Sequence, residues 1–239
     1  MDEISKLQKM IDECENIVFF GGAGVSTESG LKDFRSKDGL YNMKYKYPPE
    51  EILNHSFFEN NTEEFYNFYK DKLNALDILP NVCHKYLAQL EEKGKLKAIV
   101  TQNIDGLHQK AGSKNVLELH GTIYENNCMK CGKSYDASYV FESSGIPKCS
   151  CGGIIKPDVV LYEEALDDGI VDEAVYRISK AELLIVAGTS LTVYPASSFV
   201  RYFKGKYLVI INNDKTSYDG MANLVIHDKI GNVFSKLKI

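Results

Sequence analysis

The sequence predicts a parallel α/β sheet with helices on both faces and a small cysteine-bearing segment set into it. Three observations carry this reading. Short, almost wholly apolar runs such as Ile17–Phe20, Leu183–Ala187 and Tyr207–Ile211 recur along the chain, and strands of that kind are buried on both faces. Segments of helical periodicity separate them. Between residues 123 and 156 the alternation stops, and polar, turn-rich sequence there holds four of the six cysteines.

The elements follow in order. Ile4, Leu7, Ile11 and Cys14 share one face of a first helix, and Ile17–Phe20 is the first strand. A glycine-rich loop comes next. Residues 37–60, rich in Tyr, Asn and Pro, read as a long loop with short helical pieces, and long loops inside compact domains are usually functional. Phe65, Phe68, Tyr69, Leu73 and Leu76 put a helix over 62–76, and another starts after Pro80 and stops at Gly94. Lys97–Thr101, Val116–Leu119, Val159–Leu161, Leu183–Ala187 and Tyr207–Ile211 continue the strands of the sheet. Helices fit 169–180, 196–203 and 231–238, and no internal repeat is visible.

Composition narrows the class. A chain of 239 residues, 44% hydrophobic, has room for one large domain or a domain with a small insert. Its longest apolar runs are strand-length, well short of the roughly 18 residues a membrane span needs. The acidic start Met1–Ser5 has neither the basic nor the apolar region of a signal peptide. A net charge of −5 argues against a general nucleic-acid binder. The expectation is a soluble, cytoplasmic protein with no membrane partner and no direct specific nucleic-acid partner. Cysteines without an export signal point to reduced thiols or metal. Cys14 and Cys83, alone in helical patterns, read as small core residues.

Four motifs carry chemistry. Gly22 and Gly24 fit the first two positions of G-x-G-x-x-G, with Thr27 at the third; both a pyrophosphate cradle and a tight strand-to-helix turn fit that pattern. Thr101-Gln102-Asn103-Ile104-Asp105 sits directly after a strand, where open α/β sheets bind ligands. Its amides and carboxylate suit ribose hydroxyls and a carboxamide, and equally a capped turn. His120, at a strand end before Gly121, suits a general base near neutral pH, or a structural histidine. Cys128 and Cys131 form a C-x-x-C pair; Cys149 and Cys151 form a C-x-C pair seventeen residues later. Two such turns at that separation fit one structural zinc. The shortened second turn is expected to strain a two-ligand knuckle, leaving a three-cysteine site or a redox pair as alternatives. Gly188-Thr189-Ser190-Leu191 and Asn212-Asn213-Asp214 add hydroxyls and amides at two further strand ends.

Gly-Ala-Gly-Val-Ser (22–26), Asp33-Phe34-Arg35, Thr101–Asp105, His120-Gly121, the paired cysteines and Gly188–Leu191 occur in this order. In that arrangement the chain resembles the sirtuin family of NAD-dependent protein-lysine deacylases, most closely the bacterial type, over most of its length. The resemblance implies a Rossmann-like NAD-binding domain from 1–36, 77–122 and 157–239. A small domain would combine a cofactor loop and helical module, 37–76, with a zinc module, 123–156. It implies NAD in the cleft between them and one structural Zn²⁺ held by Cys128, Cys131, Cys149 and Cys151. Ala23, Thr27, Thr189 and Ser190 would meet the phosphates and ribose, Gln102 the nicotinamide ribose, and Asn212, Asn213 and Ile230 the adenosine end. Ile104 and Asp105 would form the nicotinamide pocket, Asn103 would order a water or ribose hydroxyl, Phe34 would shield the ribose, and Arg35 would fix the loop.

By the same resemblance His120 is the catalytic base and Asn103 assists it. The acetyl-lysine carbonyl oxygen attacks the ribose as nicotinamide leaves, giving free lysine and O-acetyl-ADP-ribose. Acyl-lysine proteins or peptides would add as a strand beside Val160, Tyr162, Glu163 and Val193. Mono-ADP-ribosyl transfer and non-enzymatic sensing of NAD or ADP-ribose are the alternatives. Leu31-Lys32 replaces the usual Ile-Pro, which implies a looser cofactor loop. Tyr162-Glu163-Glu164 replaces Phe-Gly-Glu, which puts a side chain where glycine passes close to substrate backbone and implies a preference for cationic flanks. Tyr41 is followed at three residues by Lys44, where desuccinylases carry arginine, which favours acetyl or other neutral acyl groups.

Overall fold

The computed structural model describes residues 2–239. The first half runs α1 (Glu3–Glu13), β1 (Ile17–Gly21), α2 (Pro49–Ile52), α3 (His55–Asn60), α4 (Thr62–Lys72), α5 (Val82–Glu92), β2 (Leu96–Thr101), α6 (Leu107–Lys110) and β3 (Val116–Glu118). Then come β4 (Gly121–Cys128), β5 (Ser134–Tyr135), α7 (Ala137–Glu142), β6 (Ile155–Val159), α8 (Asp168–Lys180), β7 (Leu183–Ala187), β8 (Tyr207–Ile211), β9 (Leu224–Ile226) and α9 (Ile230–Phe234). Single turns of 3₁₀ helix lie at Ala23–Val25, Thr27–Ser29, Leu40–Asn42 and Asp219–Met221, and a longer one at Ala196–Tyr202.

β1 and β7 are buried along their whole length. They sit at the centre of a six-stranded, all-parallel sheet of order β3-β2-β1-β7-β8-β9. Alternation along β1 divides the core. Phe19 packs with Leu7, Ile11, Leu87 and Phe234 on one face, and Phe20 with Ala174, Ile178 and Phe199 on the other. Side-chain caps start the covering helices: Asp2 accepts from the Ser5 N–H at 2.7 Å and Asp167 from the Ile170 N–H at 2.8 Å.

A second, antiparallel sheet, β5-β4-β6, holds the cysteines. Its strands run from Gly121 to Val159 and share one core with α2–α4, built around Phe57, Phe58, Phe65, Tyr66 and Tyr69. Tyr69 stacks on Phe141 at 5.2 Å, the Tyr66 hydroxyl donates to the Ile155 carbonyl, and the Lys70 ammonium donates to the Ser143 carbonyl at 2.7 Å. The long loop, its helices and the cysteine segment thus pack as one body.

Several expectations need correcting. Val159–Leu161 is no strand of the parallel sheet: Val159 ends β6, pairing with Gly121 of β4, and the next two residues lie outside any strand. The helix over 62–76 stops at Lys72; beyond it the Asn74 side chain accepts from the Leu76 N–H at 3.0 Å and turns the chain. The element over 196–203 is 3₁₀ rather than α, and the last helix ends at Phe234. β4 went unpredicted because its apolar pattern is broken: Asn126 is buried on it, its side-chain amide donating to the Ile123 carbonyl at 3.0 Å. No helix among the described residues is long and apolar enough to cross a membrane.

Candidate functional site: a cleft at the strand ends

The carboxyl ends of β1, β2 and β7 meet at one point, and glycine is what lets them. A Cβ on Gly24 would stand 2.8 Å from Gly188 Cα, and one on Gly22 would stand 2.9 Å from the Gly188 carbonyl oxygen. Gly188 itself has φ +60 and would strike Val25. These glycines serve the interlock of the loops after β1 and β7. That interlock brings Ala23 and Thr27 beside Thr189 and Ser190.

Ser26 is the node of the site. Its hydroxyl donates to Asp105 at 2.6 Å and accepts from the Asn103 amide at 3.1 Å. The other Asp105 oxygen accepts from the Leu107 N–H at 3.0 Å and closes the turn into α6. Asp105 is therefore both a cap and an acceptor facing the cleft. Burial raises its pKa, and the hydrogen bonds from Ser26 and Leu107 oppose that. The Gln102 amide donates to the Thr189 hydroxyl at 3.3 Å.

At the end of β3, His120 Nδ1 lies 2.9 Å from the Gln102 carbonyl oxygen. A carbonyl only accepts, so Nδ1 carries the proton and Nε2 keeps its lone pair. Burial holds the His120 pKa below its ordinary value, with the Gln102 contact opposing. The ring is accordingly neutral at pH 7 and able to take a proton.

Loop 33–42 borders the opposite wall. Tyr41 N–H donates to the Phe34 carbonyl at 2.9 Å, and Leu40 N–H to the Asp33 carbonyl at 2.8 Å. At the far end the Asn212 side chain donates to the Asp214 carbonyl at 2.9 Å. Next to Ile230, Glu28 accepts from the Gly231 N–H.

The stretch after β6 is pinned to the small body. Tyr162 donates to the Leu53 carbonyl and accepts from His55 N–H, both at 3.0 Å. Glu163 adopts φ 76, the left-handed conformation that favours glycine. Its carboxylate does not reach over the cleft toward cationic flanks, as the sequence implied. It accepts from the Ser56 N–H at 2.8 Å and the Ser56 hydroxyl at 3.1 Å. Glu164 accepts from the Leu161 N–H at 2.8 Å and pairs with Lys156 at 3.1 Å and His55 at 2.7 Å. Those contacts hold its pKa down against burial.

Every cleft residue selected from the sequence lines one cavity of about 630 Å³, from Ala23 and Thr27 through Gln102–Asp105 and His120 to Asn212, Asn213 and Ile230. Val160, Tyr162, Glu163 and Val193 line it too. The donor set fits NAD: a buried carboxylate for the carboxamide, Gln102 and Asn103 amides for ribose hydroxyls, and a glycine-bounded loop for the pyrophosphate. Sequence reasoning missed Ser26 as part of the site and gave Tyr41 and Glu164 no contacts within the fold. Ser26 lies within the glycine motif, and its hydroxyl two residues after Gly24 was its signal.

The four cysteines lie away from the cleft, all four Sγ atoms within 4.8 Å of one another. Cys128 and Cys151 are 3.5 Å apart, Cys131 and Cys149 3.6 Å, and Cys131 and Cys151 3.5 Å. A tetrahedron of Zn–S bonds at about 2.3 Å has edges of about 3.8 Å, so the cluster fits a structural zinc with all four ligands. The C-x-C turn closes because Gly152 takes φ +83, and a Cβ on Gly153 would stand 2.7 Å from Cys128 Sγ.

Residues 22–195 match the model of the Sir2 family. The chain is 60% identical over 237 residues to an NAD-dependent protein deacetylase of Clostridium acetobutylicum, covering 98% of this chain and 97% of that one. It is 58% identical over 240 residues to the protein of the same description from Clostridium perfringens, covering 99% and 98%. Among solved structures it superimposes on a Sir2 protein with a deacetylated p53 peptide and 3′-O-acetyl-ADP-ribose at TM-score 0.90 and 38% identity, covering 98% and 96%. A Sir2–p53 peptide–NAD⁺ complex gives TM-score 0.87 at 38% identity, covering 98% and 97%.

Proposed function

The chain belongs to the Sir2 family, and on that premise we infer that it is an NAD-dependent protein-lysine deacetylase. Its products are deacetylated lysine, nicotinamide and O-acetyl-ADP-ribose. One observation carries the chemistry: the Nδ1–H···O=C contact from His120 to Gln102, which leaves Nε2 as the base. Bound NAD supplies an electrophilic ribose carbon once its bond to nicotinamide breaks.

The residues then divide the work. Asp105, kept in place by Ser26 and the Leu107 N–H, accepts from the carboxamide, and Ile104 packs beside it. Asn103 and Gln102 orient ribose hydroxyls or an ordered water. Ala23, Thr27, Thr189 and Ser190 bind the phosphates and ribose; Asn212, Asn213 and Ile230 border the adenosine. Phe34 excludes water from the ribose, and Arg35 steadies its loop. Holding the acyl oxygen against the ribose carbon in such a cleft contributes through proximity, worth about 7–11 kcal/mol at most. His120 Nε2 then takes the proton of a ribose hydroxyl, a step worth roughly 10²–10⁴-fold.

Acyl-lysine peptides bind this chain as an added strand between the 160–163 stretch and Val193, an arrangement supported by Val160, Tyr162, Glu163 and Val193 lining the same cavity as His120. Zinc at the four cysteines is structural, since four thiolates leave no open position. The division into 1–36, 77–122 and 157–239, 37–76, and 123–156 belongs to the same reading. So does a cytoplasmic location, where reduced cysteines persist.

Incubation with NAD and an acetyl-lysine peptide tests the assignment. Nicotinamide and O-acetyl-ADP-ribose are expected in equal amounts, and the absence of both with zinc-loaded protein would overturn it.

A further inference from the structure

Two phenols meet across the cleft. The hydroxyl oxygens of Tyr41 and Tyr162 lie 2.8 Å apart, joining segments that are far apart in the chain. Tyr41 is also the keystone of its own loop. Its ring centroid lies 5.4 Å from that of Phe34, the Arg35 guanidinium stands 5.2 Å from it, and its N–H donates to the Phe34 carbonyl at 2.9 Å. Whatever holds Tyr41 therefore holds Phe34 and Arg35.

Tyr162 is anchored elsewhere. Its backbone pairs with Leu53 and His55, each at 3.0 Å, and the neighbouring Glu163 and Glu164 are fixed by Ser56 and Lys156. Tyr162 as a whole remains 39% exposed, at the edge where a peptide would lie. Burial and the hydrogen bond with Tyr162 raise the Tyr41 pKa and keep its hydroxyl protonated.

We propose that the Tyr41–Tyr162 hydroxyl pair is a latch coupling the Phe34–Arg35 loop to the peptide-binding stretch. Both tyrosines are positioning residues, acting on the nucleotide through Phe34 and Arg35. A peptide laid along 160–163 orders Tyr162, an ordered Tyr162 orders Tyr41, and the loop closes on the ribose with less entropy left to lose. Linkage makes the effect reciprocal: nucleotide tightens peptide by the factor that peptide tightens nucleotide. The proposal rests on the deacetylase reading for the identity of the two ligands.

Titration of ADP-ribose, with and without an acetyl-lysine peptide, into wild type, Tyr41→Phe, Tyr162→Phe and the double variant tests it. Peptide should tighten ADP-ribose binding to the wild type. Each single variant should lower that enhancement by about fivefold, the scale of one net hydrogen bond, and the double variant by no more than either single. Amide exchange in residues 33–42 should quicken in Tyr162→Phe, whose substitution lies outside that loop. An unchanged enhancement, or losses that multiply in the double variant, would overturn the latch. A wild type that binds ADP-ribose cooperatively with peptide yet releases no nicotinamide would overturn the deacetylase reading and leave the latch standing.

Discussion

The Ser26 hydroxyl lies 2.6 Å from a carboxylate oxygen of Asp105, and both groups are buried. The contact ties the loop after β1 to the loop after β2. It also means that neither Asp105 nor Asn103 is oriented by its own segment alone.

Ser26→Ala should therefore damage both stability and turnover. It leaves a carboxylate oxygen and an amide N–H buried with one partner fewer, at a cost of about 1–3 kcal/mol. Urea unfolding should show that loss, and kcat/KM should fall tenfold or more. A variant with wild-type kcat/KM would remove Ser26 from the machinery.

Acidification should act through two separate sets of histidines. Activity needs neutral His120, whose pKa burial has lowered, so kcat/KM should be flat through pH 7 and decline only beneath about 6.5. Stability answers to His84 and His108, packed at 4.7 Å in the core. Burial lowers His84 to about 4 and His108 well below its ordinary value. The unfolded chain then binds more protons than the folded one between these values and about 6.5, so stability falls as pH falls. His84 alone accounts for about 3 kcal/mol by pH 4. Urea midpoints that are equal at pH 7 and pH 4.5 would contradict this.

Glu163 combines a left-handed backbone with a capping carboxylate. Glu163→Gly removes the strain and the cap together, and its Tm should stay within about 2 °C of wild type. Glu163→Ala keeps the strain and loses the cap, and should melt about 2–4 °C lower than wild type. Calorimetry of the two variants decides the matter, because equal melting points would show that the backbone is unstrained.

Metal analysis should find about one zinc per chain. Cys151→Ala breaks the shorter turn and should release the metal, exposing the β5-β4-β6 sheet to proteolysis while β1 and β7 stay protected. Full zinc occupancy in that variant would show that three cysteines suffice.

Much of this was legible in residues alone, and the exceptions have physical causes. The parallel strands announced themselves because doubly buried strands must be apolar, as Ile17–Phe20 and Leu183–Ala187 are. The cleft residues were legible because they sit at the ends of those strands, so that finding a strand nearly located its ligand-facing loop. β4 was hidden, since a strand that reads Gly-Thr-Ile-Tyr-Glu-Asn-Asn-Cys carries no sustained apolar pattern. The contacts of Ser26, Tyr41 and Glu164 were hidden for a different reason. Their partners, Asp105, Tyr162, and Lys156 with His55, are contacts set by tertiary distance; Ser26 and Asp105 stand 79 residues apart. Nor does the glycine fingerprint by itself reveal that its missing side chains make room for Gly188.

The strand order has a consequence for how the molecule is made. β1 emerges first from the ribosome, but its two neighbours are β2 and β7, and β7 ends only at Ala187. Until that residue is out, one edge of a strand buried along its whole length has no partner. Such an unpaired edge invites aggregation, and pairing so remote in sequence is slow. A nascent chain stalled before residue 183 should therefore engage chaperones, whereas one stalled well past 211 should already hold the sheet's centre closed.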